Sequence, residues 1–360
     1  MKPHFAAAAL ALGCTASATF AGELDRTGQP LGWLFETGSY AELSYSHVNP
    51  TVRGATSVAI PPLPAGSPSG DMMKSYSTVG LAAKMDLNDR LSFGVQFDQS
   101  FGADVAYPVA PYPLAGTTAE INSDTVMLAA RYKLGNGVSV HGGLRSVGLG
   151  GKVQIVRGGV PAYAAGFDTD RDIGFMLGAA YEKPEIALRV ALTYFSETEH
   201  DMPATLSIPV PLTAVTTVKM PKSVNLDVQS GIAKDTLLFG QIRWVDWTAV
   251  NLVGPGPRPL LSYPDDTITY TLGVGRRFNE NWSGAVTIGY EASQGGISSD
   301  FAPSDGMVSL GLGATYTRDN MKITGGVRYV KLGDTPALAG AAQFSDNSAV
   351  AVGVKIGFTF

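Results

Sequence analysis

Apolar and polar residues alternate one for one along most of this chain, in segments of about ten to fourteen residues. In RLSFGVQFDQ, Leu91, Phe93, Val95 and Phe97 fall on one face, and Ser92, Gly94, Gln96 and Asp98 on the other. EIALRVALTYF repeats the pattern with Ile186, Leu188, Val190, Leu192 and Tyr194, and DGMVSLGLGATYT with Val308, Leu310, Leu312, Ala314 and Tyr316. The last segment, SAVAVGVKIGFTF, carries Val350, Val352, Val354, Ile356, Phe358 and Phe360 on one side. Alternation with period two marks a strand with one apolar face. Soluble sandwich strands usually run about five or six residues. These are longer, as a tilted strand crossing a bilayer must be.

The connections predict how many strands there are. Short polar turns fall at 87–90, 135–137, 183–185, 234–236, 279–281 and 317–320. Between them lie seven longer connections, near 50–72, 103–119, 150–170, 197–221, 248–265, 292–304 and 333–346. Six short and seven long, strictly alternating, imply fourteen strands. The expected fold class is therefore all-β: a transmembrane antiparallel β-barrel of about fourteen strands, with short turns at one rim and long loops at the other. Of 22 prolines, nineteen fall in the long connections, where no ladder N–H is needed. Trp244, Trp282, Tyr132, Tyr181, Tyr290 and Tyr329 sit near strand ends, as an aromatic girdle requires. A secreted soluble β-protein is the competing reading, and strand length argues against it.

The N-terminus does not alternate. MKPHFAAAALALGCTASATFA has one Lys, an apolar run and small-residue cleavage positions, which reads as a secretory signal peptide over 1–21. Cys14, the one cysteine, lies inside it, so a mature chain starting near Gly22 forms no disulfide. Losing Lys2 takes the net charge from −5 to −6, and a mildly acidic chain without a basic cluster is a poor nucleic-acid binder. Residues 39–360 make the barrel. A fourteen-strand barrel is wider than the eight-strand kind that side chains can fill, so the lumen needs a plug or a pathway. GELDRTGQPLGWLFETG, residues 22–38, is the candidate plug, with Trp33, Leu34 and Phe35 folding back inside as a hatch; a periplasmic tail is the alternative.

MPKSVNLDVQSGIAKDTLLFGQIRWVDWTAV resembles the Pro-x-Ser-x-Asn-Leu strand and Trp-containing hairpin of the FadL/TodX-type outer-membrane transporters of long-chain fatty acids and hydrocarbons. DTITYTLGVGRRFNENWSGAVTIGYE is similar to their next Leu-Gly hairpin, and VSLGLGATY with the terminal Phe continues the order. The resemblance spans the mature chain and implies a fourteen-stranded barrel closed by an N-terminal hatch. It also implies release of ligand through a kink in the third strand, which here holds Gly94 and Gly102; the glycine-rich 142–151 is a second candidate. Two features depart from the family: no Asn-Pro-Ala tripeptide lies in the hatch, where Asn49-Pro50 instead follows the first strand, and the hatch is short.

The loops carry the candidate chemistry. MPATLSIPVPLTAVTTV, residues 202–218, has no charge, and neither have 54–70 nor 105–119. Such a surface predicts a landing site for hydrophobic molecules, formed by Val105, Tyr107, Val109, Tyr112, Leu114, Leu206, Ile208, Val210 and Leu212; a lid packed on itself is the alternative. Strand alternation points Arg145, Arg243 and Arg328 into the extracellular half of the lumen, where guanidinium groups suit a carboxylate head. Inward Asp98 and Asp227 at similar heights are the competing partners. Arg131 and Arg189 point inward nearer the periplasm. His47, His141 and His200 bring no nucleophile and orienting carboxylate at recognisable spacing, so no enzyme is expected. Asp168, Asp170 and Asp172 lack the later positions of a calcium loop, so no metal and no cofactor are expected. The predicted role is passive uptake of hydrophobic small molecules by a monomer in the bacterial outer membrane, amid its lipid and lipopolysaccharide. A structural or adhesive barrel whose loops bind a partner is the alternative.

Overall fold

The computed structural model describes residues 24–108, 111–255 and 259–360; the predicted signal peptide and Val109 lie outside them. Fourteen antiparallel strands form one sheet. They are β1 (Tyr40–Thr51), β2 (Tyr76–Asp86), β3 (Leu91–Asp98, resumed at Gly102–Ala106), β4 (Thr118–Gly135), β5 (Val138–Arg157), β6 (Val160–Lys183) and β7 (Leu188–Phe195, resumed at Thr198–Ile208). The second half holds β8 (Leu212–Met220, resumed at Ser223–Ala233), β9 (Thr236–Val245), β10 (Thr267–Arg277), β11 (Trp282–Glu291), β12 (Met307–Arg318), β13 (Met321–Leu332) and β14 (Ser348–Thr359). β1 pairs with β14 from Tyr40–Thr359 to Thr51–Ser348, which closes the sheet. Closure leaves no strand edge for lipid to meet, and every wall N–H can pair within the protein.

Alternation sorts the two faces. Leu128, Leu144, Leu177, Leu192, Ile288 and Leu310 are exposed on the outer wall, while Ser46, Thr193, Asn225, Thr269, Thr287 and Thr324 are buried on the inner one. Tyr132, Tyr181, Trp282, Tyr290 and Tyr329 are exposed among the outward residues. All six predicted short turns are present between consecutive strands.

Two of the predicted loops are not loops. Residues 150–170 and 197–221 continue as strand, turning at Gly158–Gly159 and at 209–211. Thr205, Val215 and Val218 carry the β-branched bias of a strand, which a reading based on missing charge passed over. The remaining long connections fold over the same rim. Gly54–Thr56, Thr335–Ala337 and Ala342–Phe344 form a small three-stranded sheet there, above a cluster built on Val52, Met72, Tyr107, Leu114, Leu332 and Phe344.

Refolded in detergent, the protein is expected to show a β-type circular dichroism spectrum and to migrate differently on a gel before and after boiling, because a closed ladder resists detergent unfolding. A helix-dominated spectrum would contradict this architecture.

Candidate functional site

The N-terminal segment lies inside the barrel. Gly32–Phe35 forms one 3-10 turn, and Trp33 and Leu34 are buried. Trp33 donates its indole N–H to Gln96 (3.1 Å), whose amide donates in turn to the Pro30 carbonyl (3.1 Å). Gly94 lies behind this ring: a Cβ there would collide with Trp33. Phe35 is held between the guanidinium groups of Arg131 and Arg189, 4.5 and 4.9 Å from its ring centre, a cation–π pair that fixes its position. Lys84 donates to the Glu36 carbonyl (2.5 Å) and Lys322 to its carboxylate (2.9 Å).

Higher in the lumen the segment is fastened by charge. Asp25 and Arg243 form an ion pair at 2.7 Å with both side chains almost wholly buried. Arg243 also donates to Asn225 (2.8 Å), Ser223 (3.2 Å) and Gln29 (3.3 Å), while Asp25 accepts the Gly28 N–H (2.9 Å). Arg26 pairs with Asp104 (2.7 Å) and lies over the Tyr76 ring. Thr27 donates to Asp98 (2.7 Å). Where β3 is interrupted, Phe101 turns into the lumen and bridges Asp25, and a Cβ at Gly102 would collide with Arg26.

Above this polar layer lies an apolar chamber. Its floor and walls include Leu24, Ala103, Leu149, Phe167, Met202, Val218, Leu252 and Leu261, around a cavity of about 50 Å³. Leu260, Leu261 and Phe301 are shared with an outer vestibule of about 790 Å³, which also takes in Leu114, Ile155, Tyr163 and Leu206. Phe101, Trp247 and Tyr263 stack edge to face beside the floor, at 6.1 and 5.3 Å between centres.

Several expectations change against this geometry. Val105, Tyr107, Tyr112, Leu114 and Leu206 are buried rather than displayed; of the predicted landing set Val210 and Leu212 are exposed and Ile208 is half-buried. The reason is packing: Tyr107 stacks on Tyr112 (5.4 Å) and donates to the Asp300 carbonyl (2.6 Å), so the loops fold onto one another as a lid. Burial pushes the Tyr107 hydroxyl well above its ordinary value, so it remains a donor at any physiological pH. The arginines do not pair with Asp98 and Asp227 either. Asp98 accepts from Thr27 and Ser100, and Asp227 from Gln241 (2.9 Å); the carboxylate on Arg243 is Asp25. Nothing in a strand pattern can show a partner contributed by a non-repeating segment.

Arg145 is bound differently. It donates to the Ser196 carbonyl, but its Nε and Nη1 are buried without a partner, as is the Nε of Arg328. His47, His141 and His200 hydrogen-bond to Ser77 (3.0 Å), Thr193 (2.8 Å) and Thr198 (3.0 Å) respectively. Among the described residues no group of three or more His, Cys, Asp or Glu converges as a metal site.

A closed fourteen-strand barrel with an internal plug and a greasy upper lumen is an outer-membrane barrel protein. The chain belongs to the family described as outer membrane protein beta-barrel domain, whose model matches residues 5–205, over half of its length. It is similar to the solved structure of a Pseudomonas aeruginosa FadL homologue, at 14% identity over 92% of each chain with a TM-score of 0.72. It is also similar to the Pseudomonas putida toluene transporter TodX (13%, 91% of each chain, 0.67) and to the Ralstonia pickettii toluene transporter TbuX (15%, 96% and 97%, 0.64). At such identities the likeness establishes the shared fold. No curated protein matches the chain.

Replacing Arg243 by Ala is expected to leave Asp25 buried and unpaired, at a cost of about 3–5 kcal/mol. The urea midpoint of the refolded protein should fall accordingly, while R243M combined with D25L should recover most of the loss. An unchanged midpoint in R243A would show that the pair does not hold the plug.

Proposed function

We propose that the protein is a passive, energy-independent importer of hydrophobic small molecules across the bacterial outer membrane. The observation that carries this reading is the apolar cavity of the upper lumen, which shares Leu260, Leu261 and Phe301 with the vestibule outside it. A pore for ions or sugars is lined instead by rings of charge or polar donors. The solved relatives support the same assignment, two of them being named toluene transporters. The protein is read as acting without catalysis or cofactor, as a monomer among lipid and lipopolysaccharide.

In this reading the ligand's apolar body occupies the chamber, and residues 22–38 act as its hatch. Long-chain fatty acids come first among ligands and aromatic hydrocarbons second. Of the three arginines, Arg145 is the head-group residue that retains two unused donors. Arg243 is engaged by Asp25, and Arg328 stands as the third candidate. Ligand leaves past the interruption of β3 between Asp98 and Gly102, where Val79 donates to the Gln99 side chain (2.9 Å) instead of to a ladder carbonyl.

Cells carrying the protein are expected to take up labelled fatty acid faster than cells without it. The V218E variant, with an unpaired carboxylate in the chamber wall, should lose about tenfold or more of that rate. Arg145→Gln should reduce binding of the acid and spare its methyl ester. Equal uptake with and without the protein would overturn the assignment.

A further inference from the structure

The ladder between β6 and β7 is broken well above the periplasmic rim. It runs from Lys183–Leu188 up to Met176–Phe195, and resumes only at Phe167–Ala204. Both intervals are nine residues long, so the register is the same on either side of the gap. The strands nevertheless cannot pair within it. A bulge against β5 shifts β6 between Asp170 and Phe167, so that Asp170 and Asp172 face the same way as inward Met176. On β7 the inward set shifts after Phe195, to Thr198, His200 and Met202. Between the two shifts the pleats are out of phase, with inward Asp172 opposite outward Glu199 and inward Asp170 opposite outward Asp201.

Side chains replace the missing rungs. Asp172 accepts the Glu199 N–H at 2.8 Å, and Asp170 accepts the Asp201 N–H at 3.1 Å. Phe175 and Ser196 close the lower end, Ser196 donating its N–H to the Phe175 carbonyl (2.9 Å). A carbonyl rung opens only if a strand moves, whereas a carboxylate can swing between staggered rotamers with both backbones in place. The seam also sits where such groups can hydrate. Outward Ile173 and Phe175 are apolar below it, and outward Arg171, Glu197, Glu199 and Asp201 are charged alongside it. That change marks the boundary between hydrocarbon and head groups.

Inside the seam the path to the chamber is short. Gly174 presents no side chain of its own; Ser196, Thr198 and the buried Arg145 guanidinium fill the space beside it, the arginine keeping Nε and Nη1 without partners. At the upper end of the seam, Met202 and Phe167 are both chamber wall. We propose that the β6–β7 seam is a side port, gated by Asp170 and Asp172, through which lipophilic molecules already dissolved in the outer leaflet reach the chamber. This rests on the uptake reading but concerns a different route from the loop vestibule.

The test uses the full-length protein reconstituted in lipid vesicles, with one cysteine introduced into the otherwise cysteine-free mature chain. The probe is a maleimide carried on a phospholipid head group, which cannot leave the bilayer. Thr198→Cys places the thiol on the inner side of the seam; Thr287→Cys, inward on β11 between two unbroken ladders, is the control. The probe should label T198C and leave T287C unmodified. Adding D170A and D172A should raise the T198C rate about tenfold, as loss of a charge-assisted rung allows, while D170N with D172N, which keep the acceptor oxygens, should not. Heat-modifiable migration confirms that each variant is folded. Equal labelling of T198C and T287C, or a T198C rate indifferent to the alanine pair, would overturn the port. Labelling as expected in a protein that imports nothing would keep the port and remove the importer.

Discussion

The buried ion pair between Asp25 and Arg243 ties a segment outside the repeating pattern to a wall that could close without it. Both charges are almost wholly removed from solvent, and desolvating each costs several kcal/mol before any attraction is counted. Asn225, Ser223, Gln29 and the Gly28 N–H offset part of that cost by hydrogen-bonding around the pair, although Arg243 Nη2 is buried without a partner. Take either partner away and the other is stranded in a lumen built to its shape. The pair therefore fastens the segment beneath the chamber, where Leu24, the residue before Asp25, forms part of the floor.

From that floor the lumen divides by chemistry. Below it the plug threads past Gln96, Arg131, Arg189 and Lys84, each spending a donor or a charge on it. Above it the walls change to Leu149, Phe167, Val218 and Leu261. Water gains little in such a space, while an apolar solute gains about 25 cal/mol for each Å² it buries. Stacked Tyr107 and Tyr112 belong to the lid over this rim, and Leu260, Leu261 and Phe301 stand between the vestibule and the chamber.

Most of the wall was legible from alternation and turn chemistry, because a strand in lipid has few ways to satisfy its backbone. Leu91 to Asp98 and Ser348 to Thr359 lie as their patterns predict, and the barrel closes at fourteen strands. Three features were not legible, each for a physical reason. The hairpins above the membrane lack charge and hold proline, so they resemble loops, although their β-branched residues belong to strands. The partner of Arg243 comes from a segment with no period. The out-of-phase seam between β6 and β7 arises from two bulges that no single strand reveals. Arg145, Arg243 and Arg328 are all buried, yet their surroundings differ: Arg243 is engaged by the plug and keeps one donor without a partner, whereas Arg145 keeps two.

The central claim, that the apolar chamber above the plug is where a hydrophobic ligand rests, is tested most directly by a crystal structure soaked with a brominated hydrocarbon and read by anomalous scattering. The account predicts a bromine peak among Leu149, Phe167, Val218 and Leu261, with Asp25 still paired to Arg243. Bromine found along the outer wall, with none in the chamber, would contradict it.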